Sequence, residues 1–222
     1  MVVTELAWLV SHSGPLTAEG KAAMNHALDI LDDWCARNTA IPAGRENHGI
    51  GLFQQIEDSS LYLLTTRWES VEQHQTWISS PENQTVYPAL KDYFQLEKTI
   101  LFHVEDVEMF KTPDSNGAAS LLESPVVSVS RLVIAAEKRE AFDQSWKEVK
   151  GILEEFAKPN AVKSGWRIEK DDPAVGEYIL ACGWPGVERH WEFAIAKDFH
   201  KFAAVPQSFA TARDVKHYQR IL

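Results

Sequence analysis

Cysteine is scarce: the chain has two, Cys35 and Cys182, in unrelated surroundings and without metal-type spacing. That argues against a disulfide framework and reads as two reduced, buried thiols. Clustered positive charge is missing as well. The formal charge is −10, with no Lys/Arg cluster to offset it, which argues against nucleic acid or an anionic membrane surface as partner. No apolar run approaches the roughly 20 residues that a membrane span needs. The N-terminus, Met1-Val2-Val3-Thr4-Glu5, lacks a basic n-region and enters a strand pattern at once, so the expectation is a cytoplasmic protein without a signal peptide. There is no Gly-rich phosphate loop, no Ser-His-Asp signature and no paired metal-ligand spacing. The expectation is therefore no built-in dinucleotide, ATP or zinc, and no cofactor.

Aromatics, by contrast, are plentiful, with eight Trp and ten Phe to fill cores or pockets. One aromatic-centred stretch occurs twice. Trp68-Glu69-Ser70-Val71-Glu72-Gln73-His74 returns as Trp184-Pro185-Gly186-Val187-Glu188-Arg189-His190, both W-x-x-V-E-x-H. The match extends backwards, Leu61-Tyr62-Leu63-Leu64 against Glu177-Tyr178-Ile179-Leu180, and forwards, Trp77 against Phe193. A repeat at about half the chain length means two copies of one domain. The expected boundaries are residues 1–106 and 125–222, with 107–124 as linker.

Thr4–Ser11 alternates and reads as a strand; Thr17 then caps a helix to about Asn38, with Met24, Ala27, Leu28, Leu31, Trp34 and Cys35 on one face. Strands are expected over His48–Ile56 and Leu61–Trp68, joined by a hairpin-type turn. Ser70 and Gln73 form a capping box for the next helix. Pro81 interrupts it, a short helical stretch follows over about Asn83–Phe94, and Leu96–Val104 closes the half. Pro113-Asp114-Ser115-Asn116-Gly117 has turn chemistry. The second half repeats the order: strand Val126–Ala135, helix Glu137–Lys158, strands near Val162–Lys170 and Glu177–Trp184, a helix from Val187, a broken region around Pro206, and a strand near Val215–Leu222. Each half is β-α-β-β-α-β, the ferredoxin-like order.

A strand ending Thr66-Arg67-Trp68-Glu69-Ser70, then a helix with Trp77-Ile78-Ser79-Ser80, resembles the antibiotic-biosynthesis-monooxygenase family of dimeric α+β barrels. The resemblance implies an α+β pseudo-dimer: two tandem ferredoxin-like domains packed sheet against sheet in one chain, as a monomer or a homodimer. It implies ligands held between the sheet and the helices of one unit. The activities it implies range over cofactor-independent monooxygenases of aromatic polyketides, haem-degrading oxygenases, and isomerase- or cyclase-like relatives. In haem-degrading relatives a histidine ligand lies ten residues after the helix Trp; here those positions are Tyr87 and, after Phe193, Ala203. His200 is nearby, and tyrosine can also ligate haem iron.

His74 and His190 recur, which favours a fold-supporting, hydrogen-bonded imidazole in each copy over a catalytic one. The functional alternative is that each lines a pocket, with Trp68 and Trp77 beside it. Trp68 and Trp184 also read as core. Polar residues without an evident counterpart carry the catalytic expectation: His48, His103 and Tyr87. His103 lies opposite Ile100, Phe102 and Val104 on its strand, and either face could hold the pocket. Histidine titrates near neutral pH and suits a general base. Tyr87 could hold a phenol or enolate oxygen, or simply pack. Arg67 and Arg131, each within a strand, mark a salt bridge or an oxyanion partner. The expectation is an enzyme acting on a small aromatic or polyketide-like molecule, with catalytic His48, His103 and Tyr87, and with Trp68, His74, Trp77 and Arg67 binding substrate. Its chemistry starts at a His general base and leads to oxygenation, or to cyclisation, isomerisation or lysis. A non-catalytic, stress-response binding barrel is the reading from another class.

Overall fold

The structure is a computed structural model that describes residues 1–112 and 117–222. The turn expected at 113–117 lies outside the described residues except for Gly117.

In the first half, β1 (Val3–Val10) is followed by α1 (Ala18–Asn38), β2 (Gly51–Gln55), β3 (Leu61–Trp68), α2 (Val71–Ile78), α3 (Pro81–Val86) and β4 (Ile100–Glu105). The second half supplies β5 (Val126–Ala135), α4 (Arg139–Ala157), β6 (Val162–Trp166), β7 (Val175–Trp184), α5 (Val187–Phe193), α6 (Phe199–Phe209) and β8 (Ala210–Arg220). The eight strands form one sheet in the order β4-β1-β3-β2-β8-β5-β7-β6. Each run of four is a ferredoxin-like sheet, and the chain is therefore an α+β tandem of two such units.

Two seams join the halves. β2 pairs antiparallel with β8, Phe53 opposite Arg220 and Gln55 opposite Tyr218. On the other side β4 meets β6 through a Val104–Arg167 bridge, and Ile168 N donates to His103 O at 2.8 Å. Gly165 makes this second approach possible, since a Cβ there would stand 2.9 Å from the Glu105 carbonyl oxygen. The sheet thus closes on itself as a barrel.

Strand alternation sorts the side chains into three cores. On β1, Leu6 enters the barrel while Glu5, Ala7 and Leu9 lie under the helices. The barrel interior also takes Met109, Phe110, Leu121 and Leu122 from the segment joining the halves, all buried. This segment is thus part of the core. Helices cover the outer face of each four-stranded unit.

Local rules explain most of the element boundaries. Thr17 Oγ1 accepts from Gly20 N at the start of α1, and Ser70 Oγ accepts from Gln73 N at the start of α2. The Gln73 amide returns to Glu69 N rather than to the cap residue itself. Pro81 opens α3 at a position where its missing N–H costs nothing. One expectation fails: the region around Pro206 is not broken. Pro206 sits inside α6, late in the helix, where burial of Ala203, Val205 and Pro206 itself offsets the lost hydrogen bond. β2 is also shorter than expected, because His48 belongs to the turn before it.

Candidate functional site

β3 delivers Trp68 to the start of α2, where it is fully buried, and one turn into α2 the His74 ring stacks on its indole, centroids 4.6 Å apart and planes at 13°. The indole N–H donates to Glu5 Oε2 at 2.7 Å. β4 lies beside β1 and brings His103 opposite Glu5 in the register. His74 Nδ1 and His103 Nε2 are 2.8 Å apart. His103 Nδ1 is 2.5 Å from Oε1 of Glu169, which also accepts the His103 backbone N–H at 2.8 Å through Oε2. Glu169 follows β6, so the second half supplies this carboxylate.

With both histidines neutral, hydrogen-bond chemistry gives the row a direction. Burial pushes the Glu169 carboxyl up, but the side-chain and backbone hydrogen bonds from His103 outweigh it and hold the group below the usual range. An ionised carboxylate only accepts, so His103 donates from Nδ1. A neutral His103 then accepts at Nε2 from His74 Nδ1–H. His74 is left with Nε2 as its acceptor nitrogen, 3.4 Å from Glu5 Oε2. Burial is the main reason that His74 protonates less readily than an ordinary histidine; Glu5 opposes it, His103 adds to it, and Glu169 opposes it.

His74 and Glu5 both line a cavity of about 430 Å³ between the sheet and the helices of the first half. Its walls are apolar, with Met24, Leu28, Leu31, Trp77, Val86 and Leu90. Thr99 also lines it, and its hydroxyl is buried without a partner among the described residues. Tyr87 lines it too and is half exposed at 44%. That volume lies within the range of small-molecule sites.

A second row occupies the other half. His190 stacks on Trp184, and its Nδ1 is 2.8 Å from His217 Nε2. His217 Nδ1 is 2.6 Å from Oε1 of Glu57, a residue of the first half. The carboxylates are therefore exchanged between the halves. The cavity here is smaller, about 210 Å³. Two aromatic replacements account for the difference. In the register that aligns Leu31-Asp32-Asp33-Trp34 with Leu153-Glu154-Glu155-Phe156, Trp146 stands for Met24. In the register of the W-x-x-V-E-x-H pair, Phe202 stands for Val86. Trp146 and Phe202 pack together at 5.4 Å in the space that the first half leaves open.

The residues singled out from the sequence do not all meet here. His74, Trp77 and Tyr87 line the first cavity; Trp68 and His103 stand behind His74. His48 does not line it. His48 is buried with Nδ1 donating to Asp32 Oδ1 at 2.6 Å, and its Nε2 has no partner among the described residues. Arg67 is paired with Glu108 at 2.7 Å, outside the cavity. Arg131 pairs with Glu177 and lies over the Trp8 and Phe102 rings. His103 is not without a counterpart, because His217 repeats it. Glu5, Glu57, Glu169 and His217 join the site without having been expected from the sequence. A signal for two of them, Glu57 and Glu169, was present: Ile56-Glu57 recurs as Ile168-Glu169. Among the described residues no group of three or more His, Cys, Asp or Glu side chains is placed to hold a metal ion, and no helix is long and apolar enough to cross a membrane.

No protein-family model matches the sequence, and no curated protein matches it. Solved structures do. A provisionally named monooxygenase of Fusobacterium nucleatum superposes with a TM-score of 0.63 over 100% of this chain and 93% of its own, at 6% identity. The chain shares its tandem ferredoxin-like fold with that protein. A provisionally named monooxygenase of Lactobacillus acidophilus gives 0.59 at 12% identity, covering 99% of this chain and 93% of that one. An anthrone oxidase-like protein gives 0.58 at 11% identity, covering 100% and 92%. The likeness at these identities is one of fold, and it agrees with the expected resemblance to antibiotic-biosynthesis monooxygenases in tandem form.

Proposed function

We propose that the first-half cavity is the active site of a cofactor-independent monooxygenase acting on a small aromatic, polyketide-like molecule, with His74 as general base. The observation that carries this reading is the placement of His74. Its ring faces a cavity of ligand size on one side, and on the other it is hydrogen-bonded through Nδ1 to His103, which in turn is bonded to Glu169. A neutral imidazole is the form that removes a proton, and burial favours that form. When Nε2 takes a proton, the positive charge is shared along His74 and His103 toward Glu169, and Glu5 lies beside it. Apolar walls suit a fused aromatic ring system, and the Thr99 hydroxyl and Tyr87 are available to its oxygens.

An anthrone-type substrate suits this arrangement. The acidic ring CH2 of an anthrone, conjugated through the flanking aromatic rings with the carbonyl across the central ring, loses its proton to His74 and becomes an electron-rich carbanion that reacts with O2. One oxygen atom becomes the new carbonyl of the quinone and the other leaves as water. An anthrone oxidase-like protein among the structural neighbours is consistent with that class.

Aerobic turnover of an anthrone under 18O2 is the test. The expected result is one labelled oxygen in the quinone per O2 consumed, and a loss of about 10²–10⁴-fold in His74→Gln, the usual contribution of a placed base. If His74→Gln keeps full turnover while folded, His74 is not the base. Conversion without O2 uptake would move the reading to a cyclase or isomerase.

A further inference from the structure

The two cavities differ in charge as well as in size. Across the aligned β1 and β5, Ser128 replaces Glu5: Trp184 N–H donates to Ser128 Oγ at 2.9 Å, as Trp68 donates to Glu5. Along the paired strands that carry His103 and His217, Arg213 replaces Thr99 and Val215 replaces Leu101. The second cavity has therefore lost a buried carboxylate and gained a guanidinium. Arg213 is exposed at its mouth, and its guanidinium makes no ion pair or hydrogen bond among the described residues. Trp146, 4% exposed, lines the cavity, and its indole N–H is buried without a partner among the described residues. A buried N–H left unpaired costs free energy that an acceptor atom in the cavity would recover.

We infer that the second-half cavity is a binding site for a small aromatic carboxylate, distinct in ligand chemistry from the first. Arg213 and the Trp146 N–H meet the carboxylate, a charge-assisted pairing. Trp146, Phe193 and Phe202 face the ring. At about 210 Å³ the cavity takes a single ring rather than a fused system. His190 adds a further preference. Glu57 fixes His217 as donor from Nδ1; with His217 neutral, His190 donates to it and keeps Nε2 as an acceptor. A ligand hydroxyl donates there, which makes a hydroxybenzoate the best match. The first cavity, with Glu5 on its lining, repels the same anion.

Binding is measured without turnover, so the result stands apart from the reaction assigned to the first cavity. The full chain is titrated with 4-hydroxybenzoate by calorimetry and by 1H–15N NMR of the tryptophan indoles. Saturable binding to one site per chain is expected. The resonance that Trp146→Phe removes should shift, and those of Trp68 and Trp77 should stay in place. Arg213→Gln should weaken binding at least about tenfold, the size of one hydrogen bond to a charged group. The neutral 4-hydroxybenzamide should bind weaker than the acid by a similar factor. The assignment is overturned by no binding, by equal affinity for acid and amide, by full affinity in Arg213→Gln, or by shifts confined to Trp68 and Trp77.

Discussion

Nδ1 of His103 and Oε1 of Glu169 stand 2.5 Å apart across the boundary between the two repeats. Through this contact a residue of the second half sets the proton position on a residue of the first, and His103 in turn sets it on His74. Glu169→Gln keeps the shape and removes the charge. The His74 titration midpoint, followed by NMR, should fall, because Glu169 is one of the groups that raise it. Turnover should drop at least about tenfold, a share of what an acid–base step contributes. The mirror change, Glu57→Gln, acts on His217 and should leave first-cavity turnover unchanged. Equal losses in both variants would contradict a relay local to the first cavity.

Size separates the two cavities, and size can be transplanted. Met24→Trp with Val86→Phe reproduces in the first half the pair that fills the second. These side chains enter open space, so Tm should change by only a few degrees, whereas overpacking a filled core would cost about 1–3 kcal/mol. Affinity for a polycyclic ligand should be lost. Undiminished binding in the double variant would place the ligand elsewhere.

Acid should destabilise the fold before the carboxylates protonate. Burial first, and His217 second, push His190 down to about 4, from the ordinary 6.5. A depressed folded value means that the unfolded chain takes up its proton first as pH falls. The stability tied to this group is complete above about 6.5 and is lost as pH falls toward about 4. His74 shifts in the same direction. Tm should decline through this window, and His190→Gln should flatten the decline. A Tm independent of pH between these limits would show that His190 does not stay neutral in the fold.

The joining segment is a structural part of the barrel. Phe110 is 1% exposed and packs its ring 5.3 Å from Phe53. Phe110→Ala should cost about 3–5 kcal/mol, as for other buried aromatics. Lys111→Ala, on the exposed side of the same segment, should stay within about 0.5 kcal/mol. Urea unfolding of the two variants distinguishes a core segment from a tether; equal midpoints would indicate a tether.

The parts of the fold that follow local rules were legible. β3 runs over Leu61–Trp68 as its apolar pattern predicts, and Thr17 and Ser70 cap the helices expected of them. At Pro206 the structure departs from the expectation because burial of the surrounding helix overrides local backbone preference. The candidate site was half legible. The W-x-x-V-E-x-H repeat locates Trp68 and His74, although recurrence by itself points to fold support. The partner residues were hidden because they meet only through sheet register and barrel closure: Glu169 reaches His103 over a sequence separation of 66 residues, and Glu57 reaches His217 over 160. His48 looked equally suitable as a base until the turn before β2 directed it to Asp32 instead of the cavity.

The exchange of Glu57 and Glu169 also constrains how such a duplicated chain can change. After a gene duplication one copy is ordinarily free to decay while the other keeps the work. Here each copy carries an acidic group that completes the row in its sibling. A second half stripped of its own ligand chemistry would still be under selection for Glu169 and for the loop that presents it, so the two copies are bound to a shared evolutionary fate.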